Sequence, residues 1–145
     1  MNKLEKNNKG FSLVELIVVV LIMAIISVAL APQVMKWVGN SKISADVSNY
    51  DSLVSECQLA LATSDGYAAV VTNNKSYVLE MASTGTTLSQ GGSDVTTGDD
   101  FYDALTGVDA SWSSVKAKSG TWTITINADG TVSRTAAPNG DSVTN

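Results

Sequence analysis

Apolar positions are spread very unevenly along this chain. Residues 1–10, MNKLEKNNKG, are polar, whereas residues 11–31, FSLVELIVVVLIMAIISVALA, carry only Ser12, Glu15 and Ser27 as polar positions. Such a run predicts a helix that is apolar on every side. After Pro32 the pattern turns amphipathic. Val47, Tyr50, Val54, Cys57 and Leu61 recur at spacings of three and four and gather on one helical face, while Asp46, Asn49, Asp51, Ser55 and Glu56 fall mostly elsewhere. Pro32 removes a backbone donor and Gly39 weakens the helix further, so a kink or local melting is expected across residues 32–40. The competing reading makes Pro32 the first residue of a second helix.

The remainder alternates with period two. Trp122, Ile124 and Ile126 share one face of a strand, Asn127-Ala128-Asp129-Gly130 supplies turn chemistry, and residues 131–134 return as the second strand of a hairpin. Residues 76–82 predict another strand and residues 114–118 a shorter one. A helical turn or two is expected at residues 100–105, starting at Asp99 or Asp100. Residues 84–98 read as an exposed loop, and residues 136–145 have little to anchor them. The fold class is therefore α+β, with a long N-terminal helix packed on a small antiparallel sheet of three or four strands. Phe101, Leu105, Trp112 and Trp122 fill the space between. The boundaries are residues 1–10, a helix over 11–63 with 11–31 as its membrane-spanning part, and a head over 64–145. A head of that size buries little core alone, so the helix is expected to contribute to it.

Length and charge sharpen the picture. As a helix, residues 11–31 extend about 31 Å, close to the hydrocarbon thickness of a bilayer. Lys3, Lys6 and Lys9 outweigh Glu5 directly before the apolar run, so the short N-terminus is expected to stay cytoplasmic and the long acidic segment to be translocated. A secretory signal with Ala29-Leu30-Ala31 as its cleavage site competes. Its apolar core is ordinarily shorter and free of carboxylates, and the helical pattern here continues past Ala31.

The 145 residues include no histidine and one cysteine. A Ser-His-Asp triad, a Cys-His pair and the histidine-containing zinc sites are thereby excluded, as are an intrachain disulfide and a CxxC pair. No catalytic residue, metal ligand set or cofactor is implied, and the expectation is a non-enzyme. The net charge of −5 argues against direct nucleic-acid binding. Cys57 lies on the apolar stripe and reads as a small buried hydrophobe. Asp94, Asp99, Asp100 and Asp103 read as a solvated loop, with a calcium site as the alternative. Asn74-Lys75-Ser76 is a glycosylation sequon in form.

Glu15 is the sharpest residue. A carboxylate inside an apolar span costs about 2.5–3.5 kcal/mol on insertion scales unless neutralised or paired. Residues 11–31 contain no Lys or Arg, so a cationic partner must come from another molecule or from an amine created nearby by cleavage.

Lys9-Gly10-Phe11-Ser12-Leu13-Val14-Glu15, followed by an unbroken aliphatic run and Pro32, resembles the class III signal of type IV prepilins and pseudopilins. The resemblance covers about the first 25–30 residues. It implies cleavage between Gly10 and Phe11 by a prepilin peptidase on the cytoplasmic side, with N-methylation of Phe11. It also implies assembly through Phe11 and Glu15, and Pro32 matches the proline that commonly closes the membrane-spanning part of the family's first helix. The implied function is a structural subunit, a major pilin of a surface filament for adhesion, motility or DNA uptake. The implied partners are further copies of the chain, the peptidase, the pilus assembly platform with its ATPase machinery, and the cytoplasmic membrane before assembly. The alternatives are a pseudopilin of a secretion or competence system, and a membrane-anchored binding protein that never polymerises. The chain departs from the many Gram-negative pilins that close a C-terminal loop with a disulfide, since Cys57 stands alone.

Overall fold

The computed structural model describes residues 10–136, apart from the side chains of Thr135 and Ala136. The expectations for residues 1–9 and for the C-terminal tail beyond 136 lie outside the described residues. The first element, α1 (Leu13–Leu61), is a 49-residue helix, and the chain divides into two compact units, Met1–Val38 and Gly39–Asn145.

In the first unit every described residue is exposed. Its 18-residue window has a mean hydropathy of 3.1 with none of it buried in the protein. An aliphatic helix with no partner on any side is not satisfied by water. The polar groups within the run are answered locally: the Ser27 hydroxyl donates to the Met23 carbonyl at 2.7 Å. Helical backbone continues through Pro32 and Gly39, so the local melting expected at 32–40 is not found. One lost hydrogen bond is a local penalty of about 3 kcal/mol, set against long helical stretches on both sides.

The second unit packs the remaining part of α1 against a five-stranded antiparallel sheet. The strands are β1 (Tyr77–Met81), β2 (Thr86–Gln90), β3 (Ser93–Asp94), β4 (Trp122–Ile126) and β5 (Val132–Ala136), in spatial order β3-β2-β1-β4-β5. β1 is the central strand: Leu79 lies between Leu88 on β2 and Ile124 on β4. Tyr77, Leu79, Met81, Leu88, Trp122, Ile124 and Ile126 are buried on one face, as period-two patterning requires. Against them α1 lays Tyr50, Leu53, Val54, Cys57 and Ala60. The Tyr50 and Trp122 rings stand 5.4 Å apart, and the Tyr50 hydroxyl donates to the Thr123 carbonyl at 2.7 Å.

Between α1 and β1 the chain makes a short helix, α2 (Ser64–Tyr67), and a π-helical stretch (Ala68–Thr72). Gly66 is required there, because a side chain would run into the Ala60 carbonyl. A third helix, α3 (Asp100–Val108), closes the core with Phe101 and Leu105. Asp99 caps it by accepting from the N–H groups of Phe101 and Tyr102. Trp112 packs edge-on against Tyr102 and donates its indole N–H to Thr106.

Three expectations need correction. Residues 84–98 are not simply a loop, since they supply β2 and β3, and the sheet has five strands instead of three or four. Gly91 and Gly92, both with φ near the left-handed region, make the two-residue hairpin turn between these strands. Residues 114–118 are not a strand. A 3₁₀ turn (Trp112–Ser114) leads into a segment held by single bonds from Thr86 to the Val115 carbonyl and from Ala117 to the Ala82 carbonyl.

Asp46 is the third. Expected on the polar side of the helix, it is 0% exposed. Its Oδ1 accepts from the Lys118 N–H at 2.7 Å, and its Oδ2 from the Ser119 N–H at 2.6 Å and the Ser119 hydroxyl at 2.7 Å. Burial is tolerated because three donors replace the lost water, two of them backbone groups that otherwise lack a ladder. This clamp ties the segment before β4 to α1 across 72 residues of sequence. Asp46→Ala should therefore lower the unfolding free energy by about 2–4 kcal/mol, with Asp46→Asn intermediate. Denaturant unfolding of the detergent-solubilised chain measures this, and an unchanged midpoint in both variants would remove the clamp from the account.

Candidate functional site

The candidate site is the start of α1. Gly10 and Phe11 precede the helix, and Phe11 is 89% exposed. Ser12 opens the helix: its carbonyl accepts the first helical bond, from the Leu16 N–H at 3.2 Å. Glu15 reaches back and accepts the Ser12 N–H on Oε2 at 3.0 Å. This is the carboxylate half of a capping box, in which an acidic side chain in the first turn satisfies a backbone donor at the positive end of the helix dipole.

Two chemical consequences follow. The Gly10–Phe11 peptide bond lies in exposed, non-helical backbone, the form a peptidase needs to draw a chain into its cleft. No described neighbour demands glycine at position 10. Among the described residues, nothing lies within 4 Å of a Cβ built there.

Gly10, Phe11 and Glu15 are thus brought together by sequence proximity, at the head of an apolar helix. Pro32 and Gly39 lie inside the same helix, away from this terminus. A Cβ at Gly39 also meets nothing within 4 Å.

Asp99 and Asp103 make structural hydrogen bonds in the head. Asp99 caps α3 and accepts the Tyr77 hydroxyl at 3.2 Å, and Asp103 accepts the Gly98 N–H. Burial, with Asp99 alongside, pushes the Tyr77 phenol well above its ordinary range. Asp65, Asp100 and Asp103 line an open cleft of ≈ 420 Å³ with Thr63 and Val108. Among the described residues no group of three or more His, Cys, Asp or Glu side chains converges on a point where a metal ion would sit. Cys57 is buried, and burial pushes its thiol up to about 12, far from a reactive thiolate.

One titrating pair escaped the sequence reading. Glu56 on α1 faces Asp109, just past α3, closely enough for the two carboxyl groups to influence each other. Burial first, then the Asp109 charge, raises Glu56. The Ser111 N–H and hydroxyl, at 2.8 and 2.7 Å, lower Asp109. The pair is 53 positions apart, and no local pattern marks it.

Comparison with known proteins bears on the N-terminal segment. Residues 6–31 match the family model of the prokaryotic N-terminal methylation motif, the class III signal peptide of type IV pilins and pseudopilins. No curated protein and no solved structure matches the chain. The match spans the apolar run and includes Gly10, Phe11 and Glu15.

The Glu56–Asp109 pair makes stability depend on pH. Because Glu56 is raised above its ordinary 4.5, the folded chain holds this proton longer than the unfolded one. Its contribution is complete below 4.5 and is lost as pH rises through the raised value. The lowered Asp109 works in the opposite sense, contributing above its unfolded value and losing that as pH falls. Glu56→Gln removes the second charge beside Asp109 and keeps the side chain's size. Its melting temperature at pH 7 should exceed the parent's by about 1–3 °C, a gain moderated by solvent screening and absent near pH 4. Melting curves at the two pH values check this, and a gain that persists in acid would contradict it.

Proposed function

We propose that this chain is a structural subunit of a type IV filament, made as a membrane-anchored precursor and polymerised through α1. The observation that carries the reading is the methylation motif set at the head of an exposed apolar helix, with its cleavable bond outside that helix and its glutamate one turn inside.

Before assembly the precursor sits in the cytoplasmic membrane with its short N-terminus inside. A prepilin peptidase cuts between Gly10 and Phe11, removing three lysines and creating a cationic amine, which is methylated on Phe11. In a low-dielectric bundle this amine on one copy meets the Glu15 carboxylate of its neighbour. Attraction there is several times stronger than at a wet surface. Either charge alone is penalised, so the pair selects axial register more than it adds affinity. The Ser12 N–H already occupies one acceptor site of Glu15, and an ionised carboxylate has room for a further donor.

The aliphatic side chains of α1 then exchange lipid for identical helices, at little cost because both surroundings are apolar. Pro32 and Gly39 are the positions where α1 yields during that exchange, each being a weak point in its backbone bonding. The assembly platform and its ATPase supply the work of extraction. The product is a surface fibre, and the major-pilin role is favoured over a short secretion pseudopilus. In sheared cell-surface material the mature chain should be the dominant component, beginning at Phe11 and carrying one added methyl group by intact mass.

Two variants test the steps separately. Gly10→Val should leave full-length precursor in the membrane, because the fold tolerates the side chain while the peptidase does not; normal maturation on a gel would move the junction elsewhere. Glu15→Ala should insert and be cleaved, yet yield less than about a tenth of the parent's sheared fibre, as expected when a buried cation loses its partner. Abundant fibres of that variant alone would contradict the pairing.

A further inference from the structure

The turn before β1 carries a side chain that the fold does not use. Asn74-Lys75-Ser76 is the chain's single Asn-x-Ser/Thr sequence, and its middle residue is not proline. It lies between the π-helical stretch and β1, with Asn74 and Ser76 both exposed. The turn is pinned through its backbone. The Asn74 N–H donates to the Val71 carbonyl at 3.3 Å, and the Lys75 N–H to the Val70 carbonyl at 2.9 Å. Asn74 takes a φ of 53°, in the left-handed region, and every other described residue of positive φ is a glycine. Glycine would satisfy this turn equally well. The carboxamide that stands there instead makes no hydrogen bond among the described residues and is presented to solvent.

Ser76 stands one residue before the ladder of β1 begins at Tyr77. Its Oγ accepts the Ala128 N–H at 3.1 Å, from the turn of the β4–β5 hairpin, in an exposed contact. An enzyme that reads the hydroxyl two residues after an asparagine therefore displaces one exposed hydrogen bond and no strand pairing. The acceptor nitrogen, the hydroxyl and the turn between them are all reachable on the folded head, as a bulky surface modification requires.

We propose that Asn74 is an N-glycosylation site, taking an oligosaccharide from a polyprenyl diphosphate carrier once the head has crossed the membrane. The Asn74 carboxamide nitrogen attacks the anomeric carbon of the first sugar. A carbon–nitrogen bond forms there, and the bond from the same carbon to the diphosphate oxygen breaks. The lipid diphosphate leaves, the amide proton passes to a base of the transferase, and no atom changes oxidation state. Asn74 is the acceptor and Ser76 the group that the transferase reads; the catalysis belongs to that enzyme. The inference rests on the membrane-anchored, translocated head of the proposed function and needs no polymerisation.

The test takes the full chain from its own cells, digests it and sequences the peptide holding residues 74–76 by tandem mass spectrometry. That peptide should carry a mass of whole sugar residues, localised to Asn74. Three variants made in the same cells separate the acceptor sequence from the turn. Asn74→Gly, which suits the left-handed backbone, should lose the added mass completely, and so should Ser76→Ala. Ser76→Thr should retain it. An unmodified Asn74 in chains whose leader has been removed would overturn the proposal and leave the filament subunit standing. An added mass that persists in Asn74→Gly would overturn it as well, moving the sugar to a hydroxyl of another residue. A head shielded from protease added outside the cells would overturn the translocated precursor and this inference together.

Discussion

Glu15 is a carboxylate in the first turn of a helix whose next sixteen residues, apart from Ser27, are entirely apolar. Water, lipid headgroups or a cation must answer its charge, and the aliphatic stretch beside it makes the choice costly. In the isolated chain the answer is local: Glu15 takes the Ser12 N–H at the positive end of the helix dipole. That satisfies one acceptor site and neutralises no charge. The proposed cleavage supplies what is missing, because it removes a basic leader and leaves an amine four residues from the same carboxylate. An amine and a carboxylate on one short, rigid segment are complementary between copies displaced along the helix axis. The apolar run of residues 16–31 fits that constraint, since apolar residues on every side suit a helix surrounded by lipid and equally one surrounded by its own copies.

The head solves a different problem with the same helix. A sheet of five short strands has an apolar face to cover, and Tyr50, Leu53, Val54, Cys57 and Ala60 cover it. Helix and sheet are held in register by polar contacts at separate levels. Asp46 grips the segment leading to β4, Tyr50 bonds to the backbone of β4 itself, and Asp51 pairs with Arg134 on β5 at 2.8 Å. The third of these is partly exposed and contributes little alone. The first two lie at the margin of the core, where an unmade hydrogen bond is expensive. They fix which residues of the head stand at which level of the helix, and so determine where its lysines and acids are displayed.

Much of this was legible in the sequence, for identifiable reasons. The apolar helix, the β4–β5 hairpin and the capped helix at Asp99 announce themselves through local pattern: an unbroken aliphatic run, strict alternation about Ile124, and an aspartate before an amphipathic turn. The junction residues Gly10, Phe11 and Glu15 were equally legible because they are contiguous. β2 leaves no apolar alternation in the sequence, because its buried positions are Thr86 and Leu88 and a buried threonine does not register as apolar. What makes Thr86 acceptable inside is a hydrogen bond to the Val115 carbonyl, a contact that only the fold creates. Residues 114–118 failed in the converse way: Val115 and Ala117 alternate like a strand, yet the segment finds isolated partners and no ladder. Acids usually face outward, yet the spacing of four from Tyr50 puts Asp46 on the buried face. The Glu56–Asp109 pair could not be read at all, because nothing near either residue points to the other.

The central claim concerns the environment of one side chain in an assembled state. An atomic map of the native filament, taken from the cell surface without refolding, addresses it directly. The account predicts the Glu15 carboxylate within about 4 Å of the methylated Phe11 amine of an adjoining subunit, shielded from solvent by aliphatic helices. A map in which Glu15 faces water, or bonds to its own Ser12 N–H with no amine nearby, would contradict it.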